Sequence, residues 1–213
     1  MRSTWRLGWW HGVPITLHWT VLLALPWFYY QTRSMSATAI ACVAFFFLLV
    51  VHELGHAAVA QWRNVEVESI QLYFIHGLCT HDDPYDEEDD VLIAWGGVAA
   101  QLVLLLIAFG ASMLLAALAP FASILAAPLF RVLIQTNLLI MVINLIPVAP
   151  LDGVKAWRAL PLLRERVRYT AWAEALRKFS AARGRSRNKK LEAKAQRITA
   201  EIIDKLKKGK SDA

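Results

Sequence analysis

Cysteine is scarce in this chain. Only Cys42 and Cys79 occur among 213 residues, which excludes a disulfide framework. Cys42 sits in an apolar run, where a thiol packs as a small hydrophobe. Basic charge is scarce as well until late. Five of the 23 Lys and Arg residues precede Gly153, and the other 18 follow it. The formal net charge of +6 therefore belongs to the C-terminal part, and the body carries no basic surface for nucleic acid. Glycine is present in ordinary amount, and neither an internal repeat nor a low-complexity tract occurs. The apolar stretch after Arg2 and Arg6 lacks the small-residue cleavage site of a signal peptide and is bulky in Trp and Tyr. It reads as a retained transmembrane segment.

What is plentiful is apolar surface: 57% of the residues are hydrophobic, more than a soluble domain needs. Since ~20 residues cross a hydrocarbon core, four segments are long enough: about Ile15–Gln31, Ala37–Gln61, Val91–Leu118 and Phe130–Val148. Trp9, Trp10 and Trp19 at the start of the first, and Trp27, Tyr29 and Tyr30 at its end, suit an interfacial aromatic belt. Pro147 and Pro150 break the end of the fourth. Positive charge places Arg2, Arg6, Arg63 and the basic tail on one side and Arg33 and Arg131 on the other. Both termini are then cytoplasmic. The stretch from Val65 to Leu72 alternates apolar and polar residues, a strand signal. An open edge cannot face lipid, so a short interfacial hairpin is expected. Seven acidic residues between Asp82 and Asp90 read as a solvated loop. The expectation is an all-α polytopic membrane protein with about four transmembrane helices, a short interfacial β-hairpin and a helical cytoplasmic tail. The core covers 1–153 and the tail 154–213. In the tail, Arg164–Phe179 places Trp172, Leu176 and Phe179 at helical spacing among basic residues, as for a helix on an anionic bilayer surface. Ala181–Lys190 reads as a basic linker. Leu191–Lys208 reads as a second amphipathic helix.

Inside the second apolar segment stands His52-Glu53-Leu54-Gly55-His56. Ionisable groups in a membrane helix need a function to offset their desolvation. Residues four apart share a helix face, so His52 and His56 can grip one zinc ion, and the adjacent Glu53 can take a proton from water bound to it. A catalytic zinc takes a third protein ligand, which can be His, Asp, Glu or Cys. The best candidate is Asp152, in Asn144-Leu145-Ile146-Pro147-Val148-Ala149-Pro150-Leu151-Asp152-Gly153, where two prolines unwind the helix and Gly153 permits a tight turn. Asn144, an amide in an apolar run, either binds an extended substrate's backbone or hydrogen-bonds between helices. His18 reads as an interfacial or interhelical hydrogen-bonding group. His76, Cys79, His81 and Asp82 match no zinc spacing.

These two motifs together resemble the site-2 protease family of intramembrane metalloproteases over about Pro14–Gly153. The resemblance implies one zinc held by His52, His56 and Asp152, with Glu53 as general base. It implies that Asn144 positions substrate or stabilises the tetrahedral oxyanion. It also implies peptide-bond hydrolysis in membrane-spanning protein substrates within the bilayer of a cell (inner) membrane. Substrates shorn of an outer domain beforehand, such as anti-sigma factors, are one class. Gly96, Gly97 and Gln101 resemble the family's small-residue packing motif, with Gln101 where Asn is commoner. His76-Gly77 stands where a Gly-Gly pair is frequent. Two other readings compete. One is a membrane zinc peptidase acting on chain ends, which would take Glu as third ligand. The other is a non-enzymatic scaffold binding partners through its tail.

Overall fold

The computed structural model describes residues 4–74, 76–174 and 176–179. The chain divides into two units, Met1–Leu160 and Pro161–Ala213. The first begins with strands β1 (Thr4–Trp10) and β2 (Val13–His18), a 3-10 turn (Trp19–Leu23) and helix α1 (Ala24–Thr32). The long helix α2 (Met35–Trp62) follows, then β3 (Val67–Leu72), β4 (Gly77–His81) and the long helix α3 (Glu87–Leu118). Short helices α4 (Pro120–Leu125) and α5 (Ala127–Phe130) lead into a π-helical turn (Arg131–Thr136), α6 (Asn137–Asn144) and α7 (Gly153–Ala156). In the second unit, helix continues to 174 and covers 176–179.

Among the described residues, three helices are long and apolar enough to cross a membrane: Met35–Trp62, Glu87–Leu118 and Ala127–Asn144. The helix expected over Ile15–Gln31 is not continuous. Its first part is strand, because Val13, Ile15 and Thr16 are β-branched and Pro14 offers no helical N–H. Parallel pairing with β3 (Ile15 opposite Ile70) satisfies that backbone instead. The expected hairpin is thus half of a four-stranded sheet, ordered β1-β2-β3-β4, with antiparallel outer pairs. Ile70 and Leu72 of β3 are fully buried in the core, and β4 forms one edge.

The acidic run is also more ordered than a solvated loop. Asp86 caps α3, its carboxylate accepting from Asp89 N–H at 2.8 Å. Glu87 to Asp90 fill the first turn, where negative charge suits the helix dipole. Asp89 is buried and pairs with Arg63 at the end of α2. Helices α2 and α3 approach closely at Gly55 and Gly96, where a Cβ on either would strike the other's carbonyl. Elsewhere α3 presents Leu102, Val103, Leu106, Ile107 and Phe109 outward, as a lipid-facing surface requires. The third long helix ends at Asn144, and Ile146 to Leu151 form turns, as the two prolines dictate.

Candidate metal centre

Helix α2 carries His52, Glu53 and His56, each at most 6% exposed. The four-residue spacing stacks the imidazoles on one face with their rings edge to face, 4.6 Å between centroids. Each ring is anchored by its far nitrogen. His56 Nδ1 donates to the Ile93 carbonyl at 2.7 Å, and His52 Nδ1 lies 3.1 Å from Gln101 Oε1. Both acceptors stand on α3. Anchoring Nδ1 leaves each Nε2 with a free lone pair, the usual arrangement of metal-binding histidines.

The turn after α6 returns Asp152 to this pair. Asp152 Oδ2 is 3.1 Å from His52 Nε2 and 3.4 Å from His56 Nε2, and the two Nε2 atoms are 3.1 Å apart. Donors about 2.0–2.1 Å from a tetrahedral zinc stand roughly 3.3–3.4 Å from one another, so the triangle has the edge lengths of such a site. Oδ2 is buried, and the three donor atoms lie close enough together to share one ion. Burial alone would raise the pKa of Asp152. The two imidazoles prevail and hold its carboxyl below the usual carboxylate range, which makes it an anionic donor. Two imidazoles and one carboxylate are a zinc donor set, and these residues fit a zinc ion.

Packing explains the precision. A Cβ on Gly97 would stand on His56 Nε2 and the His52 ring, so only glycine admits both imidazoles beside α3. A Cβ on Gly153 would meet the carbonyls of Leu145 and Ile146. The Trp157 indole N–H donates to the Leu145 carbonyl at 2.6 Å, and that of Trp95 to the Ala156 carbonyl at 3.0 Å. Asp90 holds Lys155 at 2.8 Å and Arg158 at 3.7 Å. These contacts brace the turn that carries Asp152.

Glu53 is 3% exposed, with Oε1 3.9 Å from His52 Nε2. It lies beneath β4, where a Cβ on Gly77 would overlap its carboxylate. Asn144, the last residue of α6, brings Nδ2 to 3.2 Å from His52 Nε2. A cavity lined by His52, Glu53, His56, Asn144, Asp152 and β4 encloses them.

The structure thus brings together all five expected site residues. Among the described residues, His52, His56 and Asp152 form the only group of His, Cys, Asp and Glu whose donor atoms converge. His76 stacks on Tyr73, 5.0 Å between centroids, and His81 bonds the Asp82 carbonyl. Burial and the Glu53 carboxylate push the Cys79 thiol up to about 12, so it is a neutral side chain. His18 bonds Thr20 and caps the 3-10 turn. Sequence reasoning gave no role to Gln101, Gly77, Trp95 or Asp90. For Gln101 the available signal was a lone amide within an apolar span, in register with the glycine pair.

No family model matches the chain. It is 32% identical over 151 residues to a zinc metalloprotease of Methanocaldococcus jannaschii, covering 70% of this chain and 43% of that protein. It is 31% identical over 175 residues to a Mycobacterium tuberculosis protein provisionally named zinc metalloprotease Rip3, covering 75% and 44%. The chain therefore spans less than half the length of these curated relatives. Among solved structures it resembles a site-2 protease from Methanocaldococcus jannaschii, with a TM-score of 0.58 and 27% identity over 74% of this chain and 71% of that one. By these likenesses the chain belongs to the site-2 protease family.

Proposed function

We propose that this protein is an intramembrane zinc metalloendopeptidase that cuts membrane-spanning proteins in regulated intramembrane proteolysis. The observation that carries the reading is the convergence of His52 Nε2, His56 Nε2 and Asp152 Oδ2, with the Glu53 carboxylate beside them under a sheet edge. His52, His56 and Asp152 would hold the metal. When bound, zinc supplies Lewis acidity, lowering the pKa of water to about 7 and polarising a carbonyl. Glu53 accepts the proton of the attacking water and returns it to the leaving amine. The Asn144 amide donates to the oxyanion that develops on the scissile carbonyl.

A transmembrane substrate hides its carbonyls in helical hydrogen bonds, so it must unwind before cleavage. The free edge of β4 borders the cavity at Gly77, Leu78 and Cys79 and suits strand addition by an extended segment. Substrates that have already lost an outer domain, anti-sigma factors among them, fit this reading. Arg63 ends α2 just beyond the site, which supports a catalytic centre nearer the cytoplasmic face and cytoplasmic termini. The protease core is 1–153 and the basic tail 154–213. In the tail, Tyr169, Trp172, Leu176 and Phe179 are exposed beside Arg168, a composition suited to an anionic membrane surface. The expected linker Ala181–Lys190 and helix Leu191–Lys208 lie outside the described residues.

The test is zinc per chain in purified protein together with cleavage of a reconstituted transmembrane reporter. Wild type is expected to carry one zinc and to cut. Asp152→Ala is expected to lose both, and Glu53→Gln only the cutting. Zinc-free wild type after metal loading would overturn the proposal.

A further inference from the structure

Two amides in the membrane-spanning helices neither hold the metal nor take part in the proposed hydrolysis. Gln101 on α3 and Asn137 at the start of α6 are both completely buried. Buried amides survive in such surroundings only when hydrogen-bonded. Gln101 Oε1 faces His52 Nδ1 at 3.1 Å, and Asn137 Nδ2 donates to the backbone carbonyl of Gln101 at 3.0 Å. Two atoms remain without partners, Gln101 Nε2 and Asn137 Oδ1. One is a donor and the other an acceptor, on residues already joined by a hydrogen bond.

The orientation of the Gln101 amide decides whether His52 can be a ligand. A neutral imidazole carries one N–H. With Oε1 toward the ring, the proton sits on Nδ1 and the lone pair of Nε2 is free. With the amide turned over, its N–H₂ would face Nδ1, the proton would move to Nε2, and the ligand would be blocked. His56 has no such ambiguity, since its partner is the Ile93 main-chain carbonyl. His52 alone depends on a side chain that can rotate. On the far side Asn137 Nδ2 donates to the Gln101 carbonyl and ties that stretch of α3 to the third span. Asn144 Nδ2 lies 3.2 Å from His52 Nε2, on the atom that Asp152 Oδ2 also approaches. Asn137 and Asn144 are seven residues apart on one helix face. That face is set by the π-helical turn just before Asn137. The third span therefore meets His52 Nε2 through Asn144 and the backbone of Gln101 through Asn137.

We infer that Gln101, on a backbone tied by Asn137, is a positioning residue that fixes His52 as the Nδ1–H tautomer and so directs its Nε2 to the metal. This rests on the proposed zinc site. Three variants of the full chain separate the two: Gln101→Met, which keeps the volume and removes the acceptor; Gln101→Glu, whose two oxygens can only accept from the ring; and Asn137→Leu. The readouts are zinc affinity by chelator competition and the ¹⁵N signature of His52 in zinc-loaded protein. Wild type is expected to show Nδ1–H with an unprotonated Nε2. Gln101→Met is expected to weaken zinc roughly 10–100-fold, as loss of such supporting partners does, and to mix the tautomers. Asn137→Leu should move both readouts the same way by less, and Gln101→Glu should recover most of the affinity. An Nε2–H His52 in wild-type protein, a measurement that needs no variant to fold, would overturn the inference. So would Gln101→Met binding zinc like wild type. If wild type and Asp152→Ala bind zinc equally, the zinc site itself has failed instead.

Discussion

Gly97 shows how much chemistry a missing side chain can hold. Its Cβ position is taken by the two imidazoles, so the histidines reach the metal point only because α3 has no side chain there. Gly97→Ala should push the rings apart and abolish stoichiometric zinc binding. Gly110→Ala on the same helix, where a Cβ meets nothing within 4 Å, should bind zinc as wild type does. Metal analysis of the two side by side checks this. Glu53→Gln keeps the shape and removes the proton acceptor. Cleavage should fall by about 10²–10⁴, the usual contribution of a general base, with zinc retained. Gly77→Ala should act on the same carboxylate from outside, since the added methyl overlaps it. Its kcat should fall with zinc per chain unchanged, measured in single-turnover cleavage.

At the scale of elements, the centre is assembled from α2, α3, α6 and the turn before α7, and its precision depends on how that turn is tied down. The partly exposed Lys155 pairs with Asp90, and such pairs contribute about 0–1 kcal/mol. The Trp95 indole bond to the Ala156 carbonyl is less exposed, and a typical hydrogen bond of this kind contributes about 0.5–1.5 kcal/mol. Trp95→Phe should therefore weaken zinc binding more than Lys155→Ala, and only the effect of Lys155→Ala should shrink in high salt. Chelator competition at two ionic strengths distinguishes them. The same elements show where the local pattern of the chain misleads. Ile15 to Gln31 has the length and apolarity of a span, yet β3, more than fifty residues later, offers a ladder to Ile15, Thr16 and Leu17. Pairing over that separation is invisible to hydropathy. The acidic run looked like solvent-facing loop because its buried member, Asp89, is neutralised by Arg63 from another helix.

At the scale of the whole molecule, the fold precedes the metal. Apolar α2–α3 packing, with its Gly55–Gly96 approach, does not depend on an ion. Removing zinc with a chelator should abolish cleavage while leaving the far-ultraviolet circular dichroism at 25 °C unchanged. The melting temperature should drop, because ligand binding adds RT ln(1 + [L]/Kd) to stability. Zinc added back should restore both. A collapse of helical signal on chelation would show instead that the metal organises the fold.

The amino-acid sequence alone determined what is local or periodic. The four-residue spacing places His52 and His56 on one face, Glu53 beside them, prolines end the last span before Asp152, and hydropathy marks four apolar segments, three of which fall on long helices among the described residues. Those features follow from backbone geometry and solvent, and they need no distant partner. Only the tertiary structure decided that β2 is a strand, that Asp152 returns to within 3.1 Å of His52 Nε2, that Gly77 covers Glu53, and that Gln101 faces Nδ1 of His52. Each joins residues far apart in the chain, and in a close-packed interior such contacts are set by which helix faces meet, information that no single segment carries.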